Sequence, residues 1–177
     1  MAGIAGGRQL VVPKRGTRPT SDRVREALFS AVESALDLDG ARVLDLYAGS
    51  GALGLEALSR GAATAVLVES DASAVAVLRK NVAAVGLPGA VVRPGRVAAV
   101  LADPPDDPFD LVLADPPYAL DPSADLAALG RGWLAPGAVV VLERARRSGP
   151  PDWPSPLVPG RVRRYGDTEL HWASLGQ

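Results

Sequence analysis

The sequence contains no cysteine and a single histidine, His171. The absence of cysteine excludes disulfide bonds and metal sites with thiolate ligands. One histidine alone argues against a histidine-based metal site or a Ser-His-Asp triad, so we predict a structural role for His171. We therefore predict that the chain has no metal site.

Long apolar runs are also missing. No run approaches the ~18 residues that a membrane span requires, and the first residues lack the apolar core of a signal peptide. We therefore expect a soluble protein of the cytoplasm without membrane association. We also expect a monomer. The length of 177 residues is typical of one domain, and 47% of the residues are apolar although only 5% are aromatic. Such a composition suits helices packed on a parallel sheet.

The net charge of −1 conceals an uneven distribution along the chain. Residues 1–30 carry six basic and two acidic side chains, and residues 144–164 carry six arginines and one aspartate. The region 31–143 between them has seven basic and fifteen acidic residues. This pattern is consistent with an anionic partner held by the two ends and a cationic ligand in the middle. The alternative, that these charges only solvate the surface, stays open.

Strand and helix patterns alternate from residue 42 onward. An amphipathic helix, with Ser21 or Asp22 as its N-cap, precedes them and extends to Leu36. The apolar runs that follow predict strands at 42–47, 64–69, 90–93, 109–114 and 138–143. The segments between them predict helices at 52–60, 71–85, 97–101 and 124–130.

The remaining segments complete the predicted fold. Residues 8–12 resemble a short strand, the Pro-rich stretch 148–160 a linker or surface loop, and residues 162–165 with 169–173 a closing hairpin. Together the elements predict a doubly wound, mostly parallel α/β sheet of seven strands with an antiparallel C-terminal hairpin. We divide the chain into a basic N-terminal extension, 1–20, and an α/β domain, 21–177. Ligands of such sheets bind beyond the carboxyl ends of the strands.

The loop after the first predicted strand is rich in glycine. It contains Gly49-x-Gly51-x-x-Gly54, and Asp45 stands four residues before the first of these glycines. Glycine lets backbone N–H groups approach a ligand closely, and the following helix N-terminus suits an anionic group. A second acid, Glu69, ends the next predicted strand. There it can accept hydrogen bonds from two ribose hydroxyls.

The same glycine spacing matches a dinucleotide-binding fingerprint. Asp45, however, would repel a pyrophosphate and attract a ligand that carries an amino group and a sulfonium. The loop therefore favours S-adenosylmethionine as the cofactor. A nicotinamide-dependent oxidoreductase remains a rival interpretation, as does a simple β–α turn that Asp45 caps.

The segment after the fourth predicted strand carries the strongest chemical signal. An apolar run leads directly into Asp115-Pro116-Pro117-Tyr118. The prolines remove two backbone donors and leave acceptors, namely the Asp115 carboxylate and the Pro116 carbonyl. Two acceptors bonded to a planar exocyclic amine would expose its nitrogen lone pair, and Tyr118 could stack on the base.

A second Asp-Pro-Pro, at 103–105, serves as an internal comparison. No apolar strand precedes it and no aromatic residue follows, so we predict a solvated loop without a chemical role. The alternative reading of residues 115–118, as a rigid loop without chemistry, stays open.

Together these features resemble the RsmD-like family of bacterial enzymes that methylate the exocyclic N2 of one guanine in 16S ribosomal RNA. The resemblance covers almost the whole chain. It rests on Gly6-Gly-Arg8, on residues 17–29, which include Arg-Pro-Thr-Ser-Asp-Arg-Val-Arg-Glu at 18–26, on residues 45–60 and on residues 115–118. The stretch at 18–26 is the most specific part, because the two loops alone indicate only an amino methyltransferase.

The resemblance implies a Rossmann-like class I methyltransferase fold, S-adenosylmethionine as cofactor, and 16S ribosomal RNA of the small subunit as partner. It implies a cofactor site formed by Asp45, Ala48, Gly49, Ser50, Gly51, Glu69, Arg96 and Thr20. It implies a catalytic site formed by Asp115, Pro116, Pro117 and Tyr118. It implies RNA contacts by Arg8, Lys14, Arg15, Arg18 and Arg23.

One departure from the usual methyltransferase pattern concerns the adenine of the cofactor. Many such enzymes place an acid or an asparagine after the third strand, whereas this sequence reads Pro94-Gly-Arg96. Adenine recognition would then fall to backbone groups. Two further alternatives stay open: an amino methyltransferase acting on adenine N6 or on DNA, and a non-catalytic RNA-binding protein on the same fold.

Overall fold

A computed structural model describes residues 1–11 and 21–176. The helices are α1 (Asp22–Ala35), α2 (Ala52–Ser59), α3 (Ala72–Val85), α4 (Val97–Val100) and α5 (Ser123–Leu129). The strands are β1 (Arg42–Leu46), β2 (Thr64–Glu69), β3 (Ala90–Pro94), β4 (Phe109–Ala114), β5 (Leu134–Ala145), β6 (Leu157–Tyr165) and β7 (Thr168–Leu175). Short 3-10 turns occupy Gly3–Ala5 and Arg146–Ser148. In the described ranges, no helix is both long and apolar enough to cross a membrane.

The seven strands form one sheet in the order β3-β2-β1-β4-β5-β7-β6. The first five strands pair in parallel, and β7 runs antiparallel to both β5 and β6. This confirms the predicted doubly wound sheet with a closing hairpin. The chain moves outward from β1 to β3 and then returns to place β4 on the other side of β1. The strand order therefore reverses between β1 and β4, where ligands of such sheets bind.

Local signals explain where the long helices begin and end. The Ser21 hydroxyl accepts a hydrogen bond from the Val24 N–H at 3.3 Å and caps α1. The Asp71 carboxylate accepts one from the Ala74 N–H at 2.8 Å and caps α3. Gly86 ends α3 with φ near +66°, a conformation that glycine adopts without strain.

Two apolar clusters cover the two faces of the sheet. Phe29 of α1, Leu55 of α2 and Leu78 of α3 belong to the first cluster. Leu126 of α5 and Trp133 belong to the second, in which Trp133 stacks on Phe109 with ring centroids 6.0 Å apart. Helices thus protect both faces, as the apolar strands require.

His171 lies in β7 and is buried, 3.1 Å from the Glu169 carboxylate. Burial lowers the pKa of His171, and the neighbouring Glu169 opposes that shift. Its place in the interior of the sheet agrees with the predicted structural role.

Two sequence-based predictions of secondary structure are wrong. Residues 8–11, the described part of the predicted strand 8–12, are not in a strand. The predicted linker 148–160 ends earlier than expected, because β6 begins at Leu157 and contains Pro159. A register shift between Pro159 and Val162 interrupts the pairing of β6 with β7. Proline is tolerated there because β6 is an edge strand and its N–H groups need no partner on one side.

Candidate active site

The glycine loop turns sharply between β1 and α2. Tyr47 has a positive φ of 58°, which is rare for a bulky residue. Gly49 and Gly51 follow with φ values of +56° and +83°. A Cβ added to Gly51 would lie 2.4 Å from the Leu78 side chain, whereas one added to Gly49 would meet nothing within 4 Å. Gly51 is therefore required by packing, while Gly49 leaves the space in front of the loop open.

Asp45 lies beneath this loop, near the end of β1. Its side chain is buried, and its Oδ2 accepts a hydrogen bond from the Gly54 N–H of α2 at 2.9 Å. Burial raises the pKa of Asp45 to about 7, the Gly54 hydrogen bond opposes the shift, and the charge of Glu69 adds to it. The carboxylate does cap α2, as the simpler interpretation proposed, but it is also a buried acid that can change charge near neutral pH.

Glu69 holds the loop from the neighbouring strand. One carboxylate oxygen accepts a hydrogen bond from the Gly49 N–H at 2.9 Å, and the other accepts one from the Asp71 N–H at 2.8 Å. A carboxylate has about four acceptor positions, so both oxygens can accept a further hydroxyl donor. Glu69 thus both orders the loop and offers acceptors at its edge.

Asp115 follows β4 directly, on the other side of the reversal point. Its backbone N–H donates to the Leu46 carbonyl at 3.4 Å, which ties the Asp-Pro-Pro-Tyr segment to the end of β1. Pro116 is buried, whereas Pro117 and Tyr118 are exposed, with 42% of Tyr118 accessible. The structure therefore brings the glycine loop and the Asp-Pro-Pro-Tyr segment together at adjacent strand ends, with the aromatic ring on the surface.

Three acids converge at this edge of the sheet. Ala114 pairs with Leu142, so Asp115 and Glu143 are the next residues on neighbouring strands. Burial, then the charge of Glu143 and then that of Asp45 raise the pKa of Asp115 well above its ordinary value. A carboxylate whose pKa is raised binds a proton more strongly than an ordinary aspartate does.

The remaining predicted residues lie around these two loops or outside the described part of the chain. Ala48 and Ser50 are half-buried members of the glycine loop. Arg96 is exposed and precedes α4, and the adjacent Gly95 N–H donates to the Glu69 carbonyl at 2.9 Å. Arg8 and Arg23 are exposed. Lys14, Arg15, Arg18 and Thr20 lie outside the described residues.

Sequence analysis missed several residues at this site. The Tyr47 hydroxyl donates a hydrogen bond to the Asp125 carboxylate of α5, and burial, followed by that carboxylate, raises the pKa of Tyr47. The Arg147 guanidinium lies 5.8 Å from the centre of the Tyr118 ring. Asn81 of α3 donates a hydrogen bond to the Ser50 carbonyl. No local pattern signals these contacts, since each joins residues at least 29 positions apart.

Comparison with known proteins places this site in a family. Residues 1–174 match the family described as Conserved hypothetical protein 95. The chain belongs to this family. Its family relatives include ribosomal RNA small subunit methyltransferase D of Escherichia coli K12, 41% identical over 84% of this chain and 75% of that protein. The protein of the same name from Haemophilus influenzae is 34% identical over 81% of this chain and 76% of that protein.

Solved structures support the same family assignment. The Escherichia coli protein yhhF superposes with a TM-score of 0.86 at 36% identity, covering 99% of this chain and 96% of that one. The fold is that of a Rossmann-like class I methyltransferase, and the resemblance to the RsmD-like family is confirmed.

Proposed function

We propose that this protein methylates the exocyclic N2 amine of a guanine in small-subunit ribosomal RNA, using S-adenosylmethionine. The observation that carries the proposal is the meeting of two loops at the β1–β4 reversal: a glycine loop over the buried Asp45, and the Asp115-Pro116 acceptors. The names of the family relatives support an rRNA methyltransferase. The resemblance at residues 18–26 supports guanine N2 as the target.

The residues of the glycine loop fit S-adenosylmethionine. Gly49 leaves open space in front of the loop, Glu69 has acceptor positions for ribose hydroxyls, and Asp45 is a fully buried acid. A cationic ligand would favour the ionised form of an acid in this position, because the opposite charge offsets the desolvation of the carboxylate. When bound, the cofactor supplies a methyl group on a sulfonium.

The other residues prepare the amine. The Asp115 carboxylate and the Pro116 carbonyl accept hydrogen bonds from the two N–H groups of the amine, which frees the nitrogen lone pair for the incoming methyl group. Asp115 holds the proton that the nitrogen loses, and its raised pKa favours that role. Tyr118 is exposed and stacks on the base once the base has swung out of its RNA helix or loop.

We propose that exposed basic residues contact the RNA backbone. Arg8 and Arg23, two of the predicted RNA contacts, have exposed side chains. Arg147 is also exposed and lies beside Tyr118. Arginine side chains at such positions neutralise phosphates without reading sequence. We further propose a monomer that acts in the cytoplasm, where small ribosomal subunits are assembled.

Cofactor affinity should depend on pH through Asp45. If only the ionised carboxylate binds the cationic cofactor, a pKa of about 7 predicts that affinity falls as pH drops from 8 to 6. The ionised fraction declines about tenfold over this range. Isothermal titration with S-adenosylmethionine should therefore give a dissociation constant about tenfold larger at pH 6 than at pH 8. The variant Asp45→Asn should bind the cofactor weakly at both pH values, because asparagine cannot lose a proton to become negatively charged. If the affinity of the wild type changed with pH in the same way as that of Asp45→Asn, Asp45 would not be the group that titrates in the binding reaction.

The substrate class can be tested by methyl transfer. Purified protein with labelled S-adenosylmethionine would be offered small ribosomal subunits from cells that lack it, naked 16S rRNA, and duplex DNA. We expect label in rRNA, with subunits or naked RNA as the acceptor, and none in DNA. Label confined to DNA would refute the proposed substrate, and cofactor binding without label on any acceptor would refute the rRNA methyltransferase activity.

A further inference from the structure

A single amide side chain joins the glycine loop to the N-terminal segment. Asn81 lies on α3 and is 1% exposed. Its Nδ2 donates to the Ser50 carbonyl at 2.8 Å and to the Val11 carbonyl at 2.9 Å. Its Oδ1 accepts from the Val11 N–H at 2.8 Å. Both amide hydrogens and the amide oxygen are thus used, and they serve two chain segments that are far apart in sequence.

On one side, Asn81 completes the support of the glycine loop. Glu69 binds the N–H of Gly49, and Asn81 binds the carbonyl of the next residue, Ser50. Two side chains from β2 and α3 therefore fix successive residues of the loop. A shift of Ser50 would break or bend the bond to Asn81, because such bonds weaken steeply with distance and angle.

On the other side, Asn81 is the last described anchor of the N-terminal segment. That segment is first fastened to α2, where Glu56 accepts from the Ala2 N–H at 3.1 Å and Ser59 accepts from the Ala5 N–H at 2.7 Å. It then reaches Val11, which exchanges two hydrogen bonds with Asn81. Arg8, an exposed residue of the same segment that is proposed to bind RNA, lies three positions before Val11.

We propose that Asn81 is a positioning residue that couples the cofactor loop to the basic N-terminal segment. A ligand that fixes Ser50 also fixes the amide and thereby strengthens its hold on Val11. Because linkage is reciprocal, fixing the N-terminal segment on RNA strengthens cofactor binding by the same factor. This inference rests on the proposed function for the identity of the two ligands.

The first test measures hydrogen exchange at the Val11 amide with and without S-adenosylhomocysteine. In the wild type we expect the ligand to slow exchange by about fivefold, the effect of stabilising one hydrogen bond. In Asn81→Ala the amide should exchange faster, and the ligand should no longer affect it. The matched control is Val85→Ala, a buried apolar residue one turn further along α3 whose side chain belongs to the core. It should lower thermal stability but preserve the ligand effect.

The second test measures the coupling itself. The dissociation constant for RNA would be determined with and without S-adenosylhomocysteine in the wild type, Asn81→Ala and Val85→Ala. We expect at least about fivefold tighter RNA binding with the ligand in the wild type and Val85→Ala, and less than twofold in Asn81→Ala. Ligand binding that leaves the Val11 amide unchanged in the wild type would overturn the inference alone. A wild type that binds no S-adenosylhomocysteine would instead overturn the proposed function.

Discussion

Replacing Asp115 with alanine should lower the turnover number about 10³-fold, because it removes the carboxylate that stabilises developing charge on the amine. The dissociation constant for S-adenosylhomocysteine should change less than about twofold, since the cofactor loop is held by Glu69 and Asn81 instead. Asp115→Asn, which keeps the shape and removes the charge, should lose turnover to a similar extent. The measurement is single-turnover methyl transfer at saturating cofactor, combined with calorimetric titration.

The chain supplies its own control for this experiment. Asp103 also precedes two prolines, but it is exposed and follows a turn rather than a buried strand. Asp103→Ala should therefore leave both turnover and cofactor affinity at wild-type values. Near-normal turnover in Asp115→Ala would contradict the role assigned to this carboxylate, and an equal loss in Asp103→Ala would show that the effect is not specific to the site.

Replacing Glu69 with alanine should weaken the binding of S-adenosylhomocysteine by at least about 100-fold. Two charge-assisted hydrogen bonds to ribose hydroxyls would be lost, each worth about 1.5–3 kcal/mol before the loop relaxes. The Gly49 and Asp71 N–H groups would also lose their acceptor, so the loop itself would become less ordered. At saturating cofactor, turnover should remain within about threefold of the wild type, because Glu69 does not contact the amine.

A surface glutamate provides the comparison. Glu33 of α1 forms an ion pair with Arg60 at 3.1 Å and is largely exposed, away from the glycine loop. Glu33→Ala removes the same charge, and its effect on stability should be small because exposed ion pairs contribute little. The measurement is calorimetric titration of both variants with S-adenosylhomocysteine, which gives the two dissociation constants. If Glu69→Ala bound the cofactor as tightly as Glu33→Ala, the proposed ribose contact would have to be abandoned.

The sequence predicted those parts of the fold that local patterns encode. Apolar runs marked the five parallel strands, and Asp71 and Gly86 marked the ends of α3. The start of β6 was missed because this edge strand is exposed along most of its length and contains Pro159. It therefore lacks both the apolar run and the alternation on which strand prediction depends.

The candidate site was predictable to the same degree. Asp45, Glu69 and Asp115 follow from their positions at strand ends, because topology brings such ends together. The proximity of Glu143 to Asp115 depends on the register of β4 against β5, which no local signal gives. Asn81 is likewise hidden, because an asparagine within a helical pattern is ordinarily a solvated residue. Its role emerges only when the N-terminal segment is seen to pass over α3.

The most direct test of the account is the identity of the methylated nucleoside. Small subunits from cells lacking this protein would be treated with the protein and labelled S-adenosylmethionine, digested to nucleosides, and analysed by chromatography with mass spectrometry. We expect label in N2-methylguanosine, and none when Asp115→Ala replaces the wild type. Label in N6-methyladenosine would preserve the acceptor chemistry of Asp115 and Pro116 and contradict the proposed target.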